Sequence, residues 1–179
     1  MRKTYILSAF CLLTLALSGC SLWNETPKPA SPAQPAPAVT SEKEQEAVLT
    51  VYEVTSDFLK VKPVQVKVKT KEDLHKAALT EMISRDRNLK YPLLPKNLSI
   101  IGVEVKDGIA TVNFSKELNE LRNSATAEEL FTALVANTLT EFPDVKEVKF
   151  LEEGNPVTKL TGHSDMTRTI KRNETIIQK

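Results

Sequence analysis

Apolar residues recur every three to four positions across residues 124–142, a pattern that indicates a helix with one buried face. The apolar residues that share this face are Leu130, Phe131, Leu134, Val135, Leu139 and Phe142. Thr126 and Glu129 have the spacing of a capping box, which satisfies backbone N–H groups of the first turn. Because Pro143 disfavours helical geometry in the residue before it, we expect the helix to end there.

A β-hairpin is predicted just before this helix. Apolar and polar residues alternate on both sides of Asp107-Gly108, a dipeptide that favours a two-residue turn. Counting outward from the turn places three apolar pairs on one face of the hairpin. These predicted pairs are Val105 with Ala110, Val103 with Val112, and Ile101 with Phe114. Beyond the helix, Val148 and Phe150 alternate with charged residues and predict one more strand.

The remaining elements complete a compact fold. Residues 48–54 and 64–68 predict two strands that can pair, and Asp73 is placed to begin a first helix. The apolar stripe of that helix is Leu74, Ala78, Leu79, Met82 and Ile83. The order strand, strand, helix, hairpin, helix, strand predicts one α+β domain over residues 47–179. We expect a mixed, mostly antiparallel sheet with two helices on one face.

The N-terminus has the features of an exported lipoprotein. Arg2 and Lys3 precede an apolar run over residues 5–17, too short to span a membrane and typical of a signal peptide. The run ends in Leu-Ser-Gly-Cys, which resembles the bacterial lipobox and makes Cys20 the expected site of lipidation. We therefore predict a signal peptide over residues 1–19 and a lipid anchor with a Pro-rich tether over residues 20–46.

Charge restricts the classes of partner. Removing Arg2 and Lys3 leaves 22 basic against 23 acidic residues, a formal charge of −1. This balance argues against a nucleic-acid surface, so membrane attachment depends on the lipid at Cys20. The expected location is the outer face of the cell membrane, or the outer membrane in a cell that has two.

Candidate chemistry is sparse. The sequence contains no Gly-x-Ser-x-Gly, no phosphate-binding Gly-rich loop and no metal-spaced His or Cys cluster, so we predict no enzyme activity, metal or cofactor. His163, Asp165 and Arg168 can be read as an acid/base or anion-binding cluster, or as polar groups that tie down an irregular tail. Four acidic residues can be read in two ways, as a pair of carboxylates that cleaves a glycan or as acidic groups with a purely local role at the start of a helix. They are Glu117, Glu120, Glu128 and Glu129.

A known family shares the order of these features. The Leu93-Leu94-Pro95 loop, the hairpin through Ser115 and the helix ending in Glu-Phe-Pro143 resemble the GerMN domain, named for a spore-germination protein of endospore-forming bacteria. The resemblance implies a lipid-anchored envelope protein without known catalysis, similar in topology to ring-building motifs of secretion and sporulation channels. This chain carries one such module, whereas the namesake carries two.

The function expected from the resemblance is a non-catalytic interaction or assembly module with a protein partner in the cell envelope, in sporulation or germination. A homo-oligomer is left open. The alternatives are a ligand-binding module, with a pocket near Tyr91 to Pro95, and an accessory part of a cell-wall hydrolase.

Overall fold

The structure is a computed structural model that describes residues 44–163 and 165–179, within one compact unit over residues 40–179. The predicted signal peptide and Cys20 lie outside the described residues. The strands are β1 (Gln45–Val54), β2 (Val61–Thr70), β3 (Ile100–Lys106), β4 (Ile109–Phe114), β5 (Glu147–Glu152), β6 (Asn155–Pro156) and β7 (Ile170–Lys171). The helices are α1 (Leu74–Arg87) and α2 (Ala125–Leu139), with a 3₁₀ turn at Lys116–Glu120.

These strands form two sheets. β3, β4, β5 and β6 follow one another in a five-stranded sheet in which β7 also pairs with β5, and the β4–β5 pair is parallel. β1 and β2 form a separate antiparallel hairpin, so the predicted pairing of the first two strands is confirmed. The α+β class with mixed, mostly antiparallel strands is confirmed as well. The division into two sheets was not predicted from the sequence.

The two helices lie between the sheets. α1 contacts both β1 and β3, and α2 contacts both β1 and β5, while the helices also pack on each other. On the side of the five-stranded sheet, three aromatic rings meet in the core: Phe114, Phe131 and Phe150, with ring centroids 5.5 to 5.8 Å apart. Such pairs contribute about 0.5–1.5 kcal/mol each beyond the burial of their area.

The C-terminal half of α2 is buried on all sides rather than on one face, whereas Ala125, Thr126 and Glu129 in its N-terminal half are exposed. The seven consecutive residues from Ala133 to Leu139 are all buried, including the polar Asn137 and Thr138. Thr138 Oγ1 accepts a 3.1 Å hydrogen bond from the Tyr52 N–H of β1. Asn137 Nδ2 donates to the Asn173 carbonyl at 3.1 Å, and its Oδ1 accepts from the Asn173 N–H at 2.8 Å. The buried Asn137 side-chain amide therefore pairs with the backbone N–H and carbonyl of Asn173, as backbone groups pair between neighbouring strands.

The start of α2 differs from the prediction. Ser124 is the N-cap, and its Oγ accepts a 3.0 Å hydrogen bond from the Ala127 N–H. The capping box predicted at Thr126 is wrong because the helix begins earlier, at Ala125. It also ends at Leu139, four residues before Pro143.

The predicted hairpin register holds near its turn and shifts further out. Asp107 and Gly108 have φ of 53° and 81°, as a type I′ turn requires, and the predicted pairing of Val105 and Val103 is confirmed. A β-bulge between Ile100 and Gly102 places Ile100 opposite Phe114. The predicted pairing of Ile101 is therefore wrong, and its side chain is 49% exposed.

The N-terminal half follows its predicted elements closely. β1 begins at Gln45, two residues before the expected start of the domain. Asp73 caps α1 as predicted, accepting from the His75 N–H at 2.9 Å and the Lys76 N–H at 3.2 Å. The His75 ring lies 3.0 Å from Asp73 and 3.2 Å from Asp144, so it ties the start of α1 to the loop after α2.

The C-terminal segment is fastened to both the hairpin and α2. The Val61 N–H donates to the Ile176 carbonyl at 3.0 Å, and the Gln178 N–H donates to the Val61 carbonyl at 2.8 Å. Arg172 donates to Glu141 at 2.8 Å and to the Tyr52 hydroxyl at 2.5 Å. Burial, followed by Glu141, raises the pKa of Tyr52.

Two glycines of the β3–β4 hairpin allow a matched test of the turn. An alanine at position 108 would have to keep the left-handed φ of 81°, and its Cβ would lie 3.4 Å from Lys146 Cδ. A Cβ at position 102 would meet no atom within 4 Å. We expect Gly108→Ala to lower the free energy of unfolding by about 1–2 kcal/mol and Gly102→Ala to change it by less than about 0.5 kcal/mol. Urea unfolding followed by circular dichroism measures both, and equal losses would contradict the assigned turn.

Candidate functional site

A groove of about 300 Å³ lies beside Tyr91, between the β1–β2 turn and the segment that follows α1. Its apolar lining includes Val54, Phe58, Leu89 and Tyr91, and Lys62 and Lys90 stand at its rim. We call it the Tyr91 groove. The sequence indicated a pocket near Tyr91 to Pro95; the structure forms the groove at Tyr91 and takes its opposite wall from the β1–β2 turn.

One wall of the groove is fixed by the buried carboxyl group of Asp86, in the last turn of α1. Its Oδ1 accepts a 3.1 Å hydrogen bond from the Leu93 N–H, and its Oδ2 accepts a 2.9 Å bond from the Leu94 N–H. Asp86 is only 4% exposed, and both leucine side chains are buried in the core. This anchor fixes the chain just after Tyr91, whose side chain is 60% exposed.

The pKa of Asp86 reflects two opposing effects. Burial raises the pKa of this carboxyl group, because removal from water disfavours the charged form. The two leucine N–H groups and the nearby Arg122 and Arg87 act in the opposite direction. Since burial prevails, the pKa lies above its ordinary value.

The other wall is a turn held by its own polar groups. Thr55 Oγ1 donates to Asp57 Oδ1 at 2.5 Å and accepts from the Lys60 N–H at 3.1 Å. Asp57 Oδ1 also accepts from the Leu59 N–H at 3.2 Å, and the Thr55 hydroxyl is the main cause that lowers the pKa of Asp57. Phe58 is held at φ 57°, a left-handed conformation uncommon for a bulky residue. The turn therefore presents Phe58 to the groove and leaves Leu59 66% exposed.

The charged groups of the groove are mostly cationic. Glu53, whose side chain is 12% exposed, is hydrogen-bonded to Arg85 and lies 3.6 Å from Lys62. Lys90 Nζ lies 5.3 Å from the centroid of the Tyr91 ring, a cation–π distance. The lining residues of the groove thus carry two cations and one carboxylate.

The hydrogen bonds of the candidate cluster in the C-terminal tail are local. His163 Nε2 lies 3.2 Å from Asn123 Oδ1, and Asp165 Oδ1 accepts from the Thr167 N–H and hydroxyl at 2.9 and 2.6 Å. The Thr167 hydroxyl is the main cause that lowers the pKa of Asp165, and Arg168 acts electrostatically on this carboxylate and contributes to the lowered pKa. Within the described part of the tail, no hydrogen bond or ion pair joins His163, Asp165 and Arg168.

Of the four acidic residues considered for glycan cleavage, Glu128 has a clear structural use. It is 1% exposed, and its Oε2 accepts from the Thr161 N–H at 2.9 Å and the Thr161 hydroxyl at 2.6 Å. It therefore ties the segment after β6 to the first turn of α2. Among the described residues, no group of three His, Cys, Asp or Glu side chains is arranged to hold a metal ion.

The fold and sequence agree with one family. The Germane family model, described as sporulation and spore germination, matches residues 38–158. The chain belongs to this family. Its match includes the whole Tyr91 groove and ends before His163, Asp165 and Arg168. The expected resemblance to the GerMN domain is confirmed.

Solved GerMN domains share the fold. The tandem GerMN domains of the sporulation protein GerM from Bacillus subtilis match with a TM-score of 0.60 and 19% identity, over 71% of this chain and 46% of that one. The first GerMN domain of the same protein matches with a TM-score of 0.57 and 20% identity, over 70% of this chain and 98% of that one. This chain thus spans about half of the tandem structure. No curated protein sequence matches it. Within its described residues, no helix is long and apolar enough to cross a membrane.

Replacing Asp86 tests the anchor of the groove in this GerMN domain. Asp86→Asn keeps one acceptor and turns an NH₂ group toward the second leucine N–H, which stays buried without a partner. We expect the free energy of unfolding to fall by about 1–3 kcal/mol. Hydrogen exchange at the Leu93 and Leu94 amides should accelerate. The exposed Glu104→Gln on β3 is the control, and unchanged exchange at both amides would contradict the anchor.

The pH dependence of the same variant tests the raised pKa. Because the folded-state pKa of Asp86 lies above 3.8, folded protein binds this proton at a higher pH than unfolded protein does. The Asp86 contribution to stability therefore grows as pH falls through the folded pKa and levels off below about 3.8. Denaturant titrations of wild type and Asp86→Asn should show a wild-type advantage that increases on acidification from neutral pH. An advantage that shrinks would mean that the pKa is lowered instead.

Proposed function

We propose that this GerMN protein is a lipid-anchored, extracytoplasmic module that holds a protein partner in the cell envelope and catalyses no reaction. The observation that carries the proposal is the Tyr91 groove, an apolar groove with an exposed aromatic side chain. Tyrosine is enriched among the residues that dominate protein–protein binding energy, since it combines a large apolar surface with a polar tip.

Preorganisation of the groove supports a binding role. Asp86 fixes one wall, and the hydrogen bonds of Thr55 and Asp57 fix the other. A surface that is ordered before binding loses less conformational entropy on association, which raises affinity for a given contact area. The groove is therefore suited to recognition by a rigid surface.

The use of buried polar groups also supports a non-catalytic role. Asp86, Glu128 and Asn137 each bond to backbone groups of a neighbouring segment. Such bonds satisfy buried backbone groups and position loops. These buried side chains hold neighbouring segments together. The exposed groups of the Tyr91 groove are left for contact with a partner.

Anchoring is proposed from the N-terminal sequence. A lipid on Cys20 would hold the protein at the outer face of the cell membrane, or at the outer membrane of a cell with two, with residues 20–46 as a tether. Family membership supports a role in sporulation or germination.

A second candidate, a ligand-binding module, is favoured by the concave shape of the groove. Its volume of about 300 Å³ is at the lower end of the range for small-molecule sites. Such a site would also use Tyr91, so only the identity of the bound species separates the two functions.

A photo-crosslinking experiment in native membranes distinguishes these functions. With benzoylphenylalanine in place of Leu59, we expect one defined protein adduct that requires Cys20 and is lost in Cys20→Ala and Tyr91→Ala. The same photo-reactive residue in place of Ile101, exposed on β3, is the control and should give no such adduct. Equal adducts at both positions, or none at position 59, would refute a protein partner at the groove. Adducts with small molecules alone would support the ligand-binding candidate.

A further inference from the structure

The interior of the Tyr91 groove is suited to an apolar side chain. Val54 is 4% exposed at its base, Phe58 and Leu89 are half-buried, and the Tyr91 ring is exposed beside them. The exposed Leu59 follows Phe58 directly and extends the apolar surface. Removing such surfaces from water is favourable by about 25 cal/mol per Å².

Two polar side chains of the groove, Thr55 and Glu53, are already bonded to other groups of the protein. The Thr55 hydroxyl bonds to Asp57 and to the Lys60 N–H, and the Glu53 carboxylate bonds to Arg85 and pairs with Lys62. A sugar needs several hydrogen-bonding groups aimed at its hydroxyls, and these groups are not free to supply them. An apolar side chain needs none, so the lining favours a protein segment over a glycan.

Charge at the groove differs from charge of the chain as a whole. Among the lining residues, the two cations of Lys62 and Lys90 stand against the single carboxylate of Glu53, which is also ion-paired with Arg85. The predicted mature chain carries a formal charge of −1, so this excess of one positive charge among the lining residues is local. Complementary potentials steer association and exclude partners of like charge. A partner with acidic groups around its anchor fits this rim.

From these observations, and resting on the proposed function, we infer that the Tyr91 groove binds a protein segment in which an apolar anchor side chain is flanked by acidic residues. The anchor packs between Phe58 and the Tyr91 ring, and its acidic neighbours face Lys62 and Lys90. The small volume limits the anchor to one or two side chains, so the remaining contacts come from the rim.

Selection from a random dodecapeptide library on the full-length protein in detergent micelles tests this inference. We expect selected peptides to combine an aromatic or aliphatic residue with flanking Asp or Glu. Fluorescence polarisation of a labelled selected peptide should show at least about a tenfold loss of affinity in Tyr91→Ala. Charge reversal by Lys90→Glu should weaken binding similarly, and salt should weaken binding to the wild type by screening the rim.

Control variants place the same changes on the five-stranded sheet. Ile101→Ala removes a comparably exposed apolar side chain, and Lys149→Glu reverses an exposed charge on β5, so both should bind as the wild type does. The inference is overturned if selected peptides lack acidic residues, if Tyr91→Ala binds them equally well, or if no peptide is selected. Competition by chitotetraose at the groove without any selected peptide would assign the site to a glycan and overturn it as well.

The crosslinking result separates this inference from the proposed function. If a protein adduct forms at position 59 but the peptide selection fails, the proposal of a protein partner is supported. The inference that this partner presents an apolar anchor flanked by acidic residues is then wrong. Acidic peptides that depend on Tyr91, with no adduct in membranes, mean that the chemistry of the groove stands and the envelope role is wrong.

Discussion

Two turns of α2 have no side that faces solvent, and the layered arrangement of the protein follows from this constraint. Residues 133–139 are buried all round, so the helix must be covered on opposite sides. The five-stranded sheet covers one side of α2, where Phe114 and Phe150 contact Phe131, and the β1–β2 hairpin covers the other through Tyr52. A helix in this position cannot be solvated without exposing both halves of the core.

The same constraint explains which parts of the fold could be predicted. The alternation of apolar and polar residues on both sides of Asp107-Gly108 predicts the register of the β3–β4 hairpin near its turn, because the turn geometry and the burial pattern agree. The complete burial of residues 133–139 carries no such signal, since Ala133 and Ala136 are small and Asn137 and Thr138 are polar. Their burial depends on partners distant in sequence, Asn173 and Tyr52. The bulge at Ile101 likewise depends on the pairing of β3 with β4, and the local alternation of apolar and polar residues does not predict it.

The candidate site was predictable only in part, for a related reason. Tyr91 precedes Pro92 and Pro95, and these prolines predict a loop at this position from the sequence alone. The opposite wall comes from the Thr55–Lys60 turn, more than 30 residues earlier, where Phe58 adopts its unusual conformation because Thr55 and Asp57 close the turn. Asp86 lies among charged residues at the end of α1, a composition that predicts exposure to solvent. Its side chain is nevertheless buried, because it accepts hydrogen bonds from the Leu93 and Leu94 N–H groups. Tertiary contacts convert these residues into a site.

The hairpin also sets where the site stands relative to the rest of the chain. The ladder between β1 and β2 contains ten residue pairs, so nine steps of about 3.4 Å, or about 30 Å, separate its Gln45–Thr70 end from its Val54–Val61 end. The Tyr91 groove is built at the Val54–Val61 end, whereas the chain that leads back to Cys20 departs from Gln45. The hairpin therefore separates the groove from Gln45 by nearly its full length, and the proposed partner would bind at the end of the hairpin remote from Gln45.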